Sequence, residues 1–136
     1  MAGHLIRRLH QQATQIFQAQ TQAVGLELTS VQFAALDAIA QQPGSDQASL
    51  AATIGFDRAT IGGVIDRLEH KGLVQRLVHA QDRRARQLHL TLQGEQLLAA
   101  SRPVVAALQA DILAALSPAE RAVFLTLAQK ALGVVG

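Results

Sequence analysis

Apolar side chains recur every three or four residues over most of the chain, which is the spacing that places them on one face of an α-helix. Residues 4–24 show this pattern and end at Gly25. A second such segment follows Thr29, which has capping-box spacing to Gln32, and it stops at Pro43-Gly44. The predicted buried positions of these two helices are Leu5, Leu9, Ala13, Ile16 and Phe17, then Val31, Ala35, Leu36 and Ile39.

Two shorter helices are predicted next, over residues 46–53 and from Asp57 to Gly72. They are joined by a turn that contains glycine, which is helix-turn-helix organisation. In the second of them Ile61, Ile65 and Leu68 are spaced to face the core.

After Gly72 the period changes to the alternation of β-strands, in LVQRLVH and RQLHLT. A hairpin of two strands is only marginally stable alone, so we expect it to lean on helices. Thr91 then caps a long helix to about residue 116, which Pro103 is expected to bend. Ser117 and Glu120 form a second capping box, for a last helix to about residue 132.

This order predicts a mainly α fold with a small β-hairpin wing, a winged helix-turn-helix between terminal helices. We expect one domain over residues 1–136, with a DNA-binding lobe at 28–91 and dimerisation helices at 1–27 and 92–136. Hydrophobic residues make up 49% of the 136, a surplus that indicates a partner chain. The surplus lies at the C-terminal end, in Val104, Val105, Leu108, Ile112, Leu113, Leu116, Val123, Phe124 and Leu127.

Composition narrows the class of protein further. The chain has no cysteine, which excludes disulfides, thiolate metal sites and thiol redox switches. No uninterrupted apolar run reaches the roughly 18 residues of a membrane span, and the N-terminus does not read as a secretory signal. We therefore expect a cytoplasmic protein without membrane association.

Positive charge is concentrated in the middle of the chain. The net charge is +2 overall, but residues 54–90 hold seven Lys and Arg against four Asp and Glu. Such asymmetry favours an anionic partner, nucleic acid above all. The stretch AQDRRARQ at 80–87 would form the tip of the hairpin, where an arginine can enter a narrow minor groove. Asp82 could orient such an arginine, with Arg83, Arg84 and Arg86 as the candidates.

The second helix of the helix-turn-helix supplies the other candidate DNA contacts. Arg58 suits a base edge and Thr60 a phosphate, and Arg67 lies on the same outward side. Gly62 and Gly63 each cost roughly 0.8–1 kcal/mol in a helix relative to alanine. Either they allow close approach to a DNA groove, or they are a tolerated imperfection or allow tight packing on a neighbouring helix.

The chain resembles the MarR (multiple antibiotic resistance regulator) family of winged-helix regulators. The residues that carry the resemblance are LTSVQFAALDAI, ASLAATIGFDRATIGGVIDRLEHKGLVQR and DRRARQLHLTLQG, with the wing signature D-x-R on Asp82 and Arg84. The resemblance implies that Asp57 to Lys71 is the recognition helix. It also implies a homodimer on double-stranded DNA with a pseudo-palindromic operator.

Members of this family commonly release DNA when a small aromatic acid binds between the dimer helices and the DNA-binding lobe. The candidate site is the first helix against the second, where a cation, an imidazole and a ring would suit a small aromatic carboxylate or phenolic ligand. Alternatively, Arg7 and Arg8 are solvated or contact the partner subunit. The candidate residues are His4, Arg7, Arg8, His10, Gln32 and Phe33.

Other classes of function fit less well. The chain has no catalytic motif such as HExxH or GxSxG and no phosphate-binding glycine loop, so we expect no enzyme, no cofactor and no metal site. A winged helix used only for protein interaction predicts no basic bias, which the middle segment has. A regulator that activates, or that needs no ligand, stays open. The sequence therefore favours a homodimeric repressor released by a small aromatic acid.

Overall fold

The computed structural model describes residues 1–78, 81 and 86–134. Over these residues the chain is mainly helical with one antiparallel hairpin between the fourth and fifth helices, which confirms the predicted winged helix-turn-helix. The elements are α1 (Ala2–Ala23), α2 (Ser30–Gln41), α3 (Gln47–Ile54), α4 (Arg58–His70), β1 (Val74–Val78), β2 (Arg86–Leu90), α5 (Leu92–Ile112) and α6 (Pro118–Ala131).

Every helix after α1 starts at a side-chain cap, which satisfies a backbone N–H that the first turn leaves without a partner. The two predicted capping boxes are present, at Thr29 and at Ser117. The other three caps are Asp46, Asp57 and Thr91, each accepting a hydrogen bond from the N–H three residues on.

The predicted end of α5 near residue 116 is wrong, because the helix ends at Ile112. Arg121 of α6 explains the earlier end. Its Nε donates to the carbonyl oxygens of Leu113 and Leu116, at 3.1 Å each. These carbonyls are therefore satisfied without a further helical turn.

The wing is the pair β1 and β2 with the residues between them. The strands pair from Val74 opposite Leu90 to Val78 opposite Arg86. On its other edge β2 bonds to the segment between α2 and α3: the Gly44 N–H donates to Leu88 O at 2.9 Å, and the Leu88 N–H donates to Ser45 O at 3.0 Å. The hairpin thus leans on the helical lobe, as predicted.

The hydrophobic core of the lobe lies between Leu28 and Leu98, with Leu88 of the wing fully buried in it. The predicted stripe of α4 is confirmed, since Ile61, Ile65 and Leu68 are 0% exposed. None of the helices within the described ranges is long and apolar enough to cross a bilayer.

The terminal helices leave apolar side chains uncovered. The prediction that Leu5 and Leu9 are buried is wrong for one protomer: residues 1–12 are all exposed, and α1 is buried only farther along, at Phe17 and Thr21. The pattern is amphipathic, but the described chain supplies nothing to cover the first half of α1. On α6, Val123 and Leu127 are likewise more than half exposed.

A backbone joint connects the end of α4, the base of the wing and the start of α5. Gly72 ends α4 with φ of +76°, a conformation that favours glycine. The Thr91 N–H donates to Leu73 O at 3.0 Å, and the Thr91 hydroxyl donates to Gly72 O at 2.6 Å. A Cβ on Gly94 would lie against the Leu73 carbonyl oxygen, well inside van der Waals contact. The joint therefore requires a glycine at 94.

We predict that Gly94→Ala destabilises the fold, because α5 must move away from Leu73 to admit the methyl group. The expected loss in the free energy of unfolding is about 1–3 kcal/mol, typical of overpacking. Urea denaturation followed by circular dichroism measures it. The control is Gly63→Ala, where a Cβ would lie 3.7 Å from the end of the Arg67 side chain. This change should stabilise by up to about 1 kcal/mol through helix propensity. Equal stability of the two variants would contradict the role of Gly94.

Candidate nucleic-acid interface and ligand cavity

The outward side of α4 carries the side chains of Arg58, Thr60 and Arg67, all exposed. Within the part of the chain that the structure describes, neither arginine forms a side-chain hydrogen bond or an ion pair. Their guanidinium groups are thus available to an external anion.

Carboxylates hold the start of α4 and of the preceding helix. The N–H of Thr60 donates to the Asp57 carboxylate at 2.7 Å and lowers the pKa of that group. In the same way the Ser49 N–H lowers the pKa of Asp46, and the positive charge of Arg58 lowers it further. Arg58 therefore acts on the capped start of α3. The Thr60 amide is occupied by its cap, and the Thr60 side chain also lowers the pKa of Asp57, so a phosphate contact by Thr60 stays a prediction.

The two adjacent glycines of α4 have different surroundings. A Cβ on Gly62 would lie 3.2 Å from Nε2 of Gln47 in α3, which is tighter than ordinary contact. Packing on a neighbouring helix, one of the two alternatives drawn from the sequence, thus accounts for Gly62. A Cβ on Gly63 would meet only the tip of Arg67, at 3.7 Å. This is ordinary van der Waals contact, so packing within the described chain does not require a glycine at 63. DNA contact by either glycine stays a prediction.

The wing contributes one described candidate. Arg86 is exposed at the start of β2, opposite Val78. The predicted minor-groove residue Arg84, its orienting Asp82 and the neighbouring Arg83 lie outside the described residues, so their roles stay predictions.

Sequence reasoning missed two polar residues beside α4. From the sequence, Arg76 is only one of the seven basic residues of the middle segment, and no motif identifies Gln47. In the structure Arg76 pairs with Asp66 and Glu69 of α4 and also bonds to Gln47. Only the fold brings them together, since Gln47 and Arg76 are 29 positions apart.

An open cavity of about 560 Å³ lies between α1 and the start of α2. Its apolar wall is Phe17, which is 6% exposed and stacks in a tilted geometry on Phe33 with ring centroids 6.3 Å apart. Lys71, the residue directly after the last residue of α4, lies at one side of the cavity. The full lining comprises Thr14, Phe17, Gln18, Thr21, Gln22, Gly25, Leu26, Glu27, Leu28, Thr29, Ser30, Gln32 and Lys71.

Gln32 supplies an unused donor to this cavity. Its Oε1 accepts the Thr29 N–H at 3.1 Å, and its own N–H donates to the Thr29 hydroxyl. The residue is 6% exposed, and its Nε2, which has no hydrogen-bond partner among the described residues, is not sealed in the core but reaches solvent. Nε2 is therefore a donor that an acceptor entering the cavity can bind. An aromatic wall, an amide donor and a nearby ammonium suit a small aromatic acid.

The structure brings together only part of the predicted effector set. Gln32 lines the cavity and Phe33 packs behind its wall. His4, Arg7, Arg8 and His10 are exposed and do not line it. At about 1.5 Å per residue they lie roughly 6–15 Å before the cavity along α1. Within one protomer their position favours the alternative of solvated or partner-facing residues, and their effector role stays a prediction.

Known proteins are similar to this chain both in sequence and in structure. A profile described as MarR family matches residues 28–85. Transcriptional regulator HosA of Escherichia coli O127:H6 is 36% identical over 129 residues, covering 95% of this chain and 93% of HosA. HTH-type transcriptional repressor NicR of Pseudomonas putida is 38% identical over 128 residues, covering 94% of this chain and 80% of NicR.

Among solved structures, a similar one is Bordetella bronchiseptica BpsR, described as regulated in its DNA binding by 6-hydroxynicotinic acid. It superposes with a TM-score of 0.90 at 30% identity, covering 99% of this chain and 95% of BpsR.

The cap at Asp57 leads to a prediction about pH. Because the folded pKa is lowered, the cap stabilises α4 above the ordinary pKa of aspartate, and this contribution is lost as pH falls through the lowered value. Asp57→Asn keeps a capping oxygen without the titration, whereas Asp57→Ala removes the cap. We expect the protection factor at the start of α4, which corrects for the slower intrinsic exchange in acid, to fall with falling pH for wild type, to stay constant for Asn and to be low throughout for Ala. The start of α5, capped by the Thr91 hydroxyl, is the internal control. Identical protection profiles for all three proteins would contradict the cap.

Proposed function

Because the chain belongs to the MarR family of transcriptional regulators, we propose that it is a homodimeric repressor whose operator binding is released by a small aromatic acid. It is a regulator and not an enzyme. Its operator would be pseudo-palindromic double-stranded DNA, so it would act in the bacterial cytoplasm, at the nucleoid when bound.

The observation that carries DNA binding is the unpaired cationic side of α4. In the part of the chain that the structure describes, Arg58 and Arg67 lie exposed on one helix without a side-chain hydrogen bond or an ion pair, and the wing with Arg86 follows it directly. A B-DNA major groove admits one helix, and an arginine fork can bind guanine O6 and N7. The wing would then reach an adjacent minor groove through Arg84. DNA binding by the similar BpsR supports this proposal.

The uncovered apolar side chains of α1 and α6 support a homodimer. Ile6 is 65% exposed, Val123 58% and Leu127 57%. Single exposed apolar residues are ordinary, but a set on both terminal helices indicates an interface. We propose that residues 1–27 and 92–136 form this interface, and that residues 28–91 form the DNA-binding lobe. Two copies would present two α4 helices to successive major grooves.

The cavity beside α1 is the proposed effector site. The Nε2 donor of Gln32 and the ammonium of Lys71 would bind the carboxylate of the ligand, and Phe17 would pack against its aromatic ring. Lys71 caps the C-terminal end of α4, so a ligand there would contact both a dimerisation helix and the proposed recognition helix. A ligand shifts an equilibrium only as far as it binds one state better. The proposal therefore requires tighter acid binding to the state that does not bind DNA.

We predict that Arg67→Ala and Arg84→Ala weaken operator binding strongly and that Asp82→Ala weakens it less. The loss of an arginine that contacts a phosphate should also reduce the steepness of log affinity against log salt by about 1. Fluorescence anisotropy with the chain's own upstream DNA, at several salt concentrations, measures both quantities. Lys130→Ala, which removes an exposed charge on α6 outside the lobe, is the control; size-exclusion chromatography first establishes that its dimer is intact, and it should then bind like wild type. Wild-type binding no tighter than to random DNA would refute the repressor.

We predict that an aromatic acid releases the operator and that Gln32→Glu abolishes the release. Glutamate keeps the capping oxygen for Thr29, but it replaces the free amide donor by a negative charge that repels the acid. Anisotropy of the preformed complex is measured with benzoate, 4-hydroxybenzoate and 6-hydroxynicotinic acid, each against acetate. Arg7→Gln and Arg8→Gln test the other placement of the ligand. Release that survives Gln32→Glu but not the arginine variants would move the site to the first half of α1. Release by none of the acids would leave the regulator and remove the effector class.

A further inference from the structure

Arg76 is the one basic residue of the lobe's described part that is held by several partners at once. It lies in the middle of β1, opposite Leu88, with its side chain 18% exposed. Its Nη1 is 2.7 Å from Asp66 Oδ1 and 3.1 Å from Glu69 Oε1. Its Nη2 donates to Oε1 of Gln47 at 3.1 Å. One guanidinium thus joins the wing to two helices.

Gln47 is itself fixed in place by the shape of α4. Its Nε2 lies 3.2 Å from where a Cβ on Gly62 would stand, so the absence of a side chain at 62 makes room for it. The other end of the same amide accepts the bond from Arg76. Gly62 and Arg76 are therefore parts of one contact, in which α3 and β1 approach the same side of α4.

The contact also sets the charge of α4. The helix carries Arg58 and Arg67 against Asp66 and Glu69, so its own acidic and basic residues balance. Asp66 and Glu69 remain 68% and 44% exposed, where a nearby phosphate backbone would be repelled by them. Arg76 offsets one of these two negative charges while it contacts both carboxylates, and its own charge is thereby committed inside the lobe.

We propose that Arg76 is a positioning residue for DNA recognition, acting through Asp66, Glu69 and Gln47 rather than by touching DNA. It sets the angle between the wing and α4, and it screens the acidic residues of α4 from phosphate. This inference rests on the proposed operator binding. A lysine cannot replace it fully, because an ammonium is a point charge and lacks the fork that reaches a carboxylate and an amide together.

The test is a double-mutant cycle on operator affinity. Arg76→Ala is made in wild type and in the Asp66→Asn, Glu69→Gln background, which keeps hydrogen-bond acceptors and removes the charges. Circular dichroism first fixes a temperature at which all four proteins are fully folded, so that global stability does not enter the comparison. Anisotropy then gives the affinity and its salt slope for each protein. Arg76→Lys is measured alongside as the conservative variant.

We expect Arg76→Ala to cost about tenfold in operator affinity in wild type and less than about threefold in the neutral background, a coupling in the range found for contacting residues. The salt slope should stay the same, and Arg76→Lys should restore part of the affinity. An equal loss in both backgrounds, with a slope reduced by about 1, would show a direct phosphate contact and overturn the proposal. No loss in Arg76→Ala would overturn it as well. Wild-type binding indifferent to operator sequence would instead refute the proposed function. If Arg76→Ala does not fold, the same cycle with Arg76→Lys decides.

Discussion

The backbone contact between Leu73 and Gly94 is the constraint on which the arrangement of the molecule depends. It lets α5 start directly beside the end of α4, and the Thr91 hydroxyl and amide then tie both chain segments together. Few internal degrees of freedom remain at such a joint, because backbone contacts backbone without an adaptable side chain between them. The direction of α5 is therefore set by the same contacts that hold the end of α4 and the base of the wing.

The parts of the fold that the sequence predicts well depend on neighbours along the chain. Capping by Thr29 or Ser117 involves residues only three positions away, and the burial of Ile61 and Ile65 follows from helical periodicity. Predictions from local sequence fail where a residue distant along the chain binds a backbone group that a local helical hydrogen bond would otherwise satisfy. The end of α5 is such a case, since Arg121 binds carbonyl oxygens that periodicity assigns to a longer helix.

The candidate site divides in the same way. Exposure of Arg58 and Arg67 follows from the helical face opposite Ile61, so the sequence predicts it. The cavity does not follow, because Lys71 and Gln32 line the same space only after α4 has packed against α2. Residues of one amphipathic helix can also lack a partner within the chain, as Leu5 does. Periodicity identifies the apolar face of α1 but not the molecule that covers it.

Charge distribution reconciles a net charge of only +2 with a surface suited to DNA. The carboxylates around α4 are used internally: Asp57 and Asp46 cap helices, and Asp66 and Glu69 share Arg76. A carboxylate that accepts hydrogen bonds or faces a guanidinium repels a more distant phosphate only weakly, because opposite charges lie beside it. Arg58 and Arg67 form no side-chain hydrogen bond or ion pair among the described residues, although Arg58 is close enough to Asp46 to lower the pKa of that carboxyl. The outward surface of α4 is therefore more positive than the summed charge of the helix residues. The pairing of the carboxylates decides this charge, and composition alone does not.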